Sequence, residues 1–329
     1  MRELIRETDA YRRLVSEGEQ NTHSHAYLVV FDDGKYLPLA LKEFAKVIFG
    51  AVENGYGEFN SRKEERIASL IDGDKYADCK VYPADGKRLT AEEASEIALE
   101  CQVKAVEGDK KLFLIDKFDE ALAPAQNKLL KMLEEPPEGV VFLLGARKEY
   151  PVLATVRSRT AKLEIRPFSI EEVKACLARL YGDTREDGEL AVCAAAGGGS
   201  VGTAENYLYG GLYASLAGAA FNLCLAGERE LPALIKAHGD TKYKKELLAM
   251  ISLIYRDALL LKTAVRGVKK SRLLLPTEEK QTGQVCAERS LRALVKAQEY
   301  IVEAEKQIKF NANFSQCLEI LLLKVMKED

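Results

Sequence analysis

Two stretches carry residues whose types and spacing could do chemistry. Residues 25–48 are HAYLVVFDDGKYLPLALKEFAKVI: an apolar run, a glycine-containing turn with a lysine, then an amphipathic run. That is the outline of a loop whose backbone N–H groups cradle phosphate at a helix N-terminus. The lysine, Lys35, stands in the wrong place for that work. Residues 111–165 begin with an apolar run ending in Asp116, the kind of carboxylate that holds Mg²⁺ through water beside a nucleotide. The same segment carries Arg157 and Arg159 in TVRSRT, and a guanidinium is a planar, permanently charged fork that suits phosphate oxygens. On an extended segment the two arginines would point to the same side. Taken alone, each feature fits a blander role: an aspartate that ends a strand, a solvated turn lysine, a solvated arginine pair at a strand edge.

The elements that must position these residues follow from hydrophobic periodicity. YLVVF (27–31), LFLID (112–116) and VVFLLGA (140–146) are apolar runs suited to strands buried on both faces of a parallel sheet. Helical patterns lie between them. LALKEFAKVIFGAV follows the first run, and TAEEASEIALECQVKAV precedes the second with Thr90 and Glu93 at capping-box spacing. APAQNKLLKMLEE precedes the third; Leu129, Leu130 and Leu133 share a face that predicts core, and Pro136-Pro137 stops the helix. The alternation predicts an α/β domain with a mostly parallel sheet. Beyond about residue 169 only helical patterns follow. SIEEVKACLARLYG and ELAVCAAAGGGSVGTAENYLYG predict short helices with GGGS as a turn, and three long patterns lie beyond 240; RGVKKSR (266–272) is the expected exposed loop.

Composition narrows the function classes. A chain of 329 residues predicts two or three domains. With 48 Lys+Arg against 51 Asp+Glu, the formal charge of −3 argues against a protein that mainly coats nucleic acid or an anionic membrane. No window approaches the ~20 apolar residues of a membrane span. The N-terminus, MRELIRETDAYRRLVSEGEQ, is too charged for a signal peptide, so a cytoplasmic protein with no membrane partner is expected. The seven cysteines are scattered singly without metal-ligand spacing; they predict reduced thiols, mostly in the core, and no metal site.

The block from 111 to 165 resembles the bacterial clamp-loader subunits, AAA+ proteins of the DNA polymerase III γ/τ and δ′ family. AQNKLLKMLEEPP, a strand, a short connector and TVRSRT are similar to the family's leucine-rich helix, Glu-Glu-Pro-Pro turn, sensor-1 strand and Ser-Arg-Cys motif, in that order. The resemblance is looser at HAYL, YPADGKRLTAEEASEI, GGSVGTA and FNANFSQCLEILLL. It implies an α/β AAA+ core (parallel sheet with flanking helices) over residues 1–167, a small helical lid domain over 168–209 and an all-α collar domain for oligomerisation over 210–329.

Against the family's ATP-binding members, Phe44-Ala45-Lys46 sets the register of the opening stretch. The three loop glycines then fall on Phe31, Gly34 and Tyr36, the phosphate lysine on Leu37 and the Mg²⁺-ligating hydroxyl residue on Pro38. Phe31 and Tyr36 put side chains where N–H groups must approach phosphate, Leu37 lacks the cation, and Pro38 lacks both hydroxyl and N–H. Shifting the register to use Lys35 would put Tyr36 at the hydroxyl position and shorten the loop. The catalytic glutamate position is Lys117, the sensor-1 polar position Ala146 and the sensor-2 arginine position Gly202, which leaves Asp116 vestigial. Hydrolysis at this chain's own site is not expected, and no cofactor is expected.

What remains is Ser158-Arg159. In the family this arginine is a finger presented to ATP in the adjacent subunit, so the resemblance gives Arg159 that role in trans, with Ser158 beside it, Thr160 in the usual cysteine's place and Arg157 as a possible sharer. The family's four-cysteine zinc module is reduced here to a segment holding only Cys79. The implied protein is a non-hydrolysing, δ′-like member of a hetero-pentamer with γ/τ and δ subunits, meeting a sliding clamp and primer-template DNA through the complex. It would be no enzyme by itself, but part of an assembly classed as a DNA-directed DNA polymerase. Alternatives are an active γ/τ-type ATPase or the δ clamp-opening subunit; a free-standing DNA-binding protein is disfavoured by the charge.

Overall fold

Each of the three apolar runs forms a strand in the computed structural model, which describes residues 1–54, 57–209, 212–264, 273–275 and 278–329. They are β1 (Ala26–Phe31), β3 (Lys111–Ile115) and β4 (Val140–Ala146), and two further strands, β2 (Cys79–Tyr82) and β5 (Ala161–Ile165), join them. The sheet has the order β2-β3-β4-β1-β5, with all pairings parallel. β3 and β4 are buried throughout, whereas β2 and β5 are edge strands with residues open to solvent. Sitting at the edges, β2 and β5 need no unbroken apolar run, which is why periodicity alone yields three strands.

The chain divides into two units, Met1–Pro167 and Phe168–Asp329. The first holds the sheet and helices α1 (Arg2–Arg6), α2 (Asp9–Glu19), α3 (Leu37–Ile48), α4 (Arg62–Asp72), α5 (Ala91–Glu100), α6 (Ala123–Glu134) and α7 (Ala154–Arg157). This is the parallel sheet with flanking helices expected of an AAA+ core. The Thr90–Glu93 capping box is closed from both sides at the start of α5. α6 ends at Glu134, ahead of Pro136-Pro137, and buries Ala125, Gln126, Leu129, Met132 and Leu133; Leu130 is half-buried at the rim of that face. α1 and α2 fold from the charged N-terminal stretch, because Leu4, Ile5, Ala10, Tyr11 and Leu14 supply a buried side. A charge cluster pins α3 from behind: the wholly buried Glu43 accepts from Arg6 Nε (2.8 Å) and Lys46 Nζ (2.7 Å), and Lys46 also meets Asp72 of α4 (2.9 Å). Burying such charges is tolerable only with this degree of pairing.

The second unit is helical among its described residues: α8 (Ile170–Tyr181), α9 (Asp187–Ala196), α10 (Val201–Leu208), α11 (Leu212–Leu225), α12 (Leu231–His238), α13 (Lys244–Thr263), α14 (Glu279–Glu288), α15 (Leu291–Lys309) and α16 (Phe314–Met326). Ser169 and Glu172 close a capping box on α8. The GGGS segment makes the expected turn, with Gly198 at φ 58° and Gly199 at φ 87° before Ser200 caps α10. α13 packs against α11, α14 and α15. The RGVKKSR segment and residue 210, where a lid would give way to a collar, lie outside the described residues. The cysteines are free thiols, all buried except the partly buried Cys286. No single described helix is long and apolar enough to cross a membrane.

Candidate functional site

β1 delivers the chain to the candidate loop at Phe31, which is buried in the strand, and α3 takes it away at Leu37, buried as the helix's first residue with Pro38 next. The five residues between them form a turn that uses its own donors. The Asp33 carbonyl accepts the N–H groups of Tyr36 (3.1 Å) and Leu37 (2.9 Å), and the buried Asp33 carboxylate also accepts the Tyr36 N–H (3.3 Å). Phosphate would need donors of this kind at the mouth of the helix, and Pro38 has none to add.

The surviving glycine has a local explanation. A Cβ on Gly34 would stand 2.9 Å from both Cδ and Nε of Arg147, whose side chain lies over the turn. Arg147 Nε donates to the Asp32 carbonyl (3.3 Å), and its guanidinium is 3.7 Å from the Asp32 carboxylate. Arg147 was not a candidate in the sequence; it directly follows Ala146, the fully buried last residue of β4.

Asp116 lies one residue past β3, partly buried, and accepts the Lys117 N–H (2.8 Å). Burial pushes its carboxyl pKa above the usual aspartate value. Lys117 adopts a left-handed backbone (φ 52°) and its ammonium donates to the Gly86 carbonyl, away from any glutamate-like task. Gly202 is the second residue of α10, in the other unit. Among the described residues no group of His, Cys, Asp and Glu could hold a metal ion.

The Ser158-Arg159 segment corrects an expectation: it is not extended. Residues 154–157 form α7, Ser158 N–H donates to Ala154 O (3.0 Å) and Arg159 N–H to Val156 O (3.0 Å). Residues two apart on a helical turn face different directions, and the arginines diverge. Arg157 lies 3.6 Å from Glu149; Arg159 Nη1 donates to Thr155 O (2.8 Å) and Ser158 Oγ (3.2 Å) while Nη2 pairs with Glu134 at the end of α6. Thr160 Oγ1 donates to the Val156 (3.2 Å) and Arg157 (3.3 Å) carbonyls, so the residue in the usual cysteine's place helps to close the turn by hydrogen bonding. The turn is tied to α6 by Gln126, a residue sequence reasoning passed over. Its buried amide donates to Ala121 O (2.9 Å) and Pro151 O (3.3 Å), and its oxygen accepts the Leu153 N–H (2.9 Å). The available signal was a glutamine in register with Leu129, Met132 and Leu133.

The two candidate sites are not brought together. Parallel pairing sets Ala161 beside Tyr27 and Ile165 beside Phe31. Arg159, just ahead of β5, therefore sits at the N-terminal end of the strands, and the loop at 32–36 lies beyond their C-terminal end. Six strand residues separate the ends of β1, roughly 20 Å at the usual rise per residue. Arg159 is not placed to serve its own chain's loop.

Residues 6–169 match the family described as DNA polymerase III, delta subunit. The chain is 28% identical over 156 residues to the delta' subunit of DNA polymerase III from Bacillus subtilis, covering 47% of this chain and 46% of that protein. It is 28% identical over 189 residues to the tau/gamma subunit from Haemophilus influenzae, covering 56% of this chain and 26% of that one. A third match, the gamma/tau subunit from Mycobacterium tuberculosis, is 33% identical over 98 residues, covering 29% and 17%. The chain thus spans less than half the length of each of these relatives. Through this core, the chain belongs to the DNA polymerase III clamp-loader family.

Proposed function

We propose that this chain is a δ′-like, non-hydrolysing clamp-loader subunit that lends Arg159, with Ser158 beside it, to ATP bound by a neighbouring subunit. The reading is carried by one observation: Arg159 lies at the end of the sheet opposite a loop in which Asp33 accepts the N–H groups of Tyr36 and Leu37, at the mouth of the helix where phosphate would need them. An arginine with no phosphate of its own to reach has its use across an interface. Its partners would be γ/τ and δ subunits in a hetero-pentamer, joined through a collar over residues 210–329, with a lid over 168–209. The mechanism is positional. ATP next door draws the interface onto Arg159, where the guanidinium stabilises charge spreading over the phosphoryl oxygens, and the closed ring holds an open sliding clamp at primed DNA.

The test is Arg159→Ala in a loader reconstituted with its partner subunits, read by DNA-stimulated ATPase. Turnover at the neighbouring site should drop by about 10³-fold, the lower end of what arginine fingers contribute. Unchanged turnover would overturn the reading. A second reading, the clamp-opening δ, is compatible with the matched family's description as a delta subunit. Tight binding of the isolated chain to an isolated sliding clamp would favour it.

A further inference from the structure

We infer that Glu134 is a positioning residue that parks the Arg159 guanidinium until a neighbour docks, and so sets how readily the arginine is handed over. The inference rests on the finger reading of Arg159. Both terminal nitrogens of Arg159 are engaged on their own chain, Nη2 by the Glu134 carboxylate and Nη1 by Thr155 O and Ser158 Oγ. To reach a phosphate across an interface, the guanidinium must at least leave the carboxylate. Glu134 is the last residue of α6, where a negative charge is unfavourable against the helix dipole, so the carboxylate is held there by its arginine and not by its helix. Gln126 ties the start of α6 to the segment that enters the turn, at Pro151 and Leu153. Both side chains remain partly open, 33% for Arg159 and 47% for Glu134. An ion pair so exposed is weak and reversible, and a more highly charged phosphate outcompetes a single carboxylate. Parking thus acts as a tax on docking: the apparent affinity of the neighbour's ATP-bound interface is reduced by the fraction of Arg159 that is free.

Glu134→Gln keeps the size and an acceptor oxygen and removes the charge. Two measurements test it. In the isolated chain, phenylglyoxal modification followed by peptide mass spectrometry should show Arg159 reacting about two- to fivefold faster in the variant, the range expected for an exposed pair, with Arg147 unchanged as an internal reference. In the reconstituted loader the apparent KM for ATP should fall by a similar factor with kcat unchanged, a split that general loosening of the fold would not produce. An unchanged Arg159 labelling rate overturns parking; faster labelling with an unchanged KM overturns the handover. Failure of the finger reading itself appears separately, as an Arg159→Ala loader with full turnover, while the labelling still decides whether Glu134 holds the arginine.

Discussion

An aspartate just past a buried strand is a burden to the fold unless something positive or an N–H group stands opposite it. Asp116 has one backbone donor, from Lys117, whose ammonium is spent on the Gly86 carbonyl. Burial therefore dominates and raises its pKa in the folded chain. For an acid raised in this way, the folded state binds its proton more readily than the unfolded one. Stability is greatest below the ordinary aspartate value of about 3.9, declines as pH climbs from there through the folded pKa, and is flat above. Asp116→Asn keeps an oxygen for the Lys117 N–H and removes the charge. It should raise the melting temperature at neutral pH, with the gain vanishing in acid; thermal melts across pH check this, and a lower melting temperature at neutral pH would contradict it. At the same scale, TVRSRT was legible as a motif but not as a conformation. Thr155, Val156 and Thr160 are β-branched and suggest extended chain, whereas the turn closes on its own hydrogen bonds and is tied to α6 by the bond from Leu153 N–H to Gln126, a contact 27 residues away in sequence.

The elements whose burial is one-sided or continuous could be read from the sequence, and those whose burial comes from neighbours could not. β1, β3 and β4 carry unbroken apolar runs because both faces are covered. CKVY and AKLEI became strands only because β3 and β1 offered them an edge. α6 is the element on which the site depends, since one of its buried residues holds the turn of Arg159. Gln126→Ala would leave the Leu153 N–H and the Ala121 carbonyl without their partner. An orphaned buried group costs about 1–3 kcal/mol, so the variant should lose roughly that much stability in chemical denaturation. Its Leu153 amide should also exchange faster with solvent. If stability falls while Leu153 protection is unchanged, Gln126 supports α6 without setting the turn.

At the scale of the molecule, a scaffold with the outline of a nucleotide site carries a loop in which two N–H groups at the helix start bond back to Asp33. The Asp33 acceptors take the N–H groups of Tyr36 and Leu37, Arg147 covers Gly34, and Phe31 and Leu37 belong to the core. In the δ′-like reading proposed above, the turn, the strand end and the helix start would together keep nucleotide out. The consequence can be measured on the whole chain without any partner. A ligand at 100 times its Kd stabilises the folded state by about 2.7 kcal/mol, which raises the melting temperature of a unit of this size by roughly 5–11 °C. Millimolar Mg²⁺-ATP is that excess for a site of ~10 μM affinity, so a functional site could not escape a thermal scan. The melting temperature of the isolated chain should not move beyond what the same concentration of Mg²⁺-pyrophosphate produces. A rise of several degrees specific to ATP would show that the loop opens for nucleotide, and would put the active γ/τ-type ATPase ahead of the δ′-like reading.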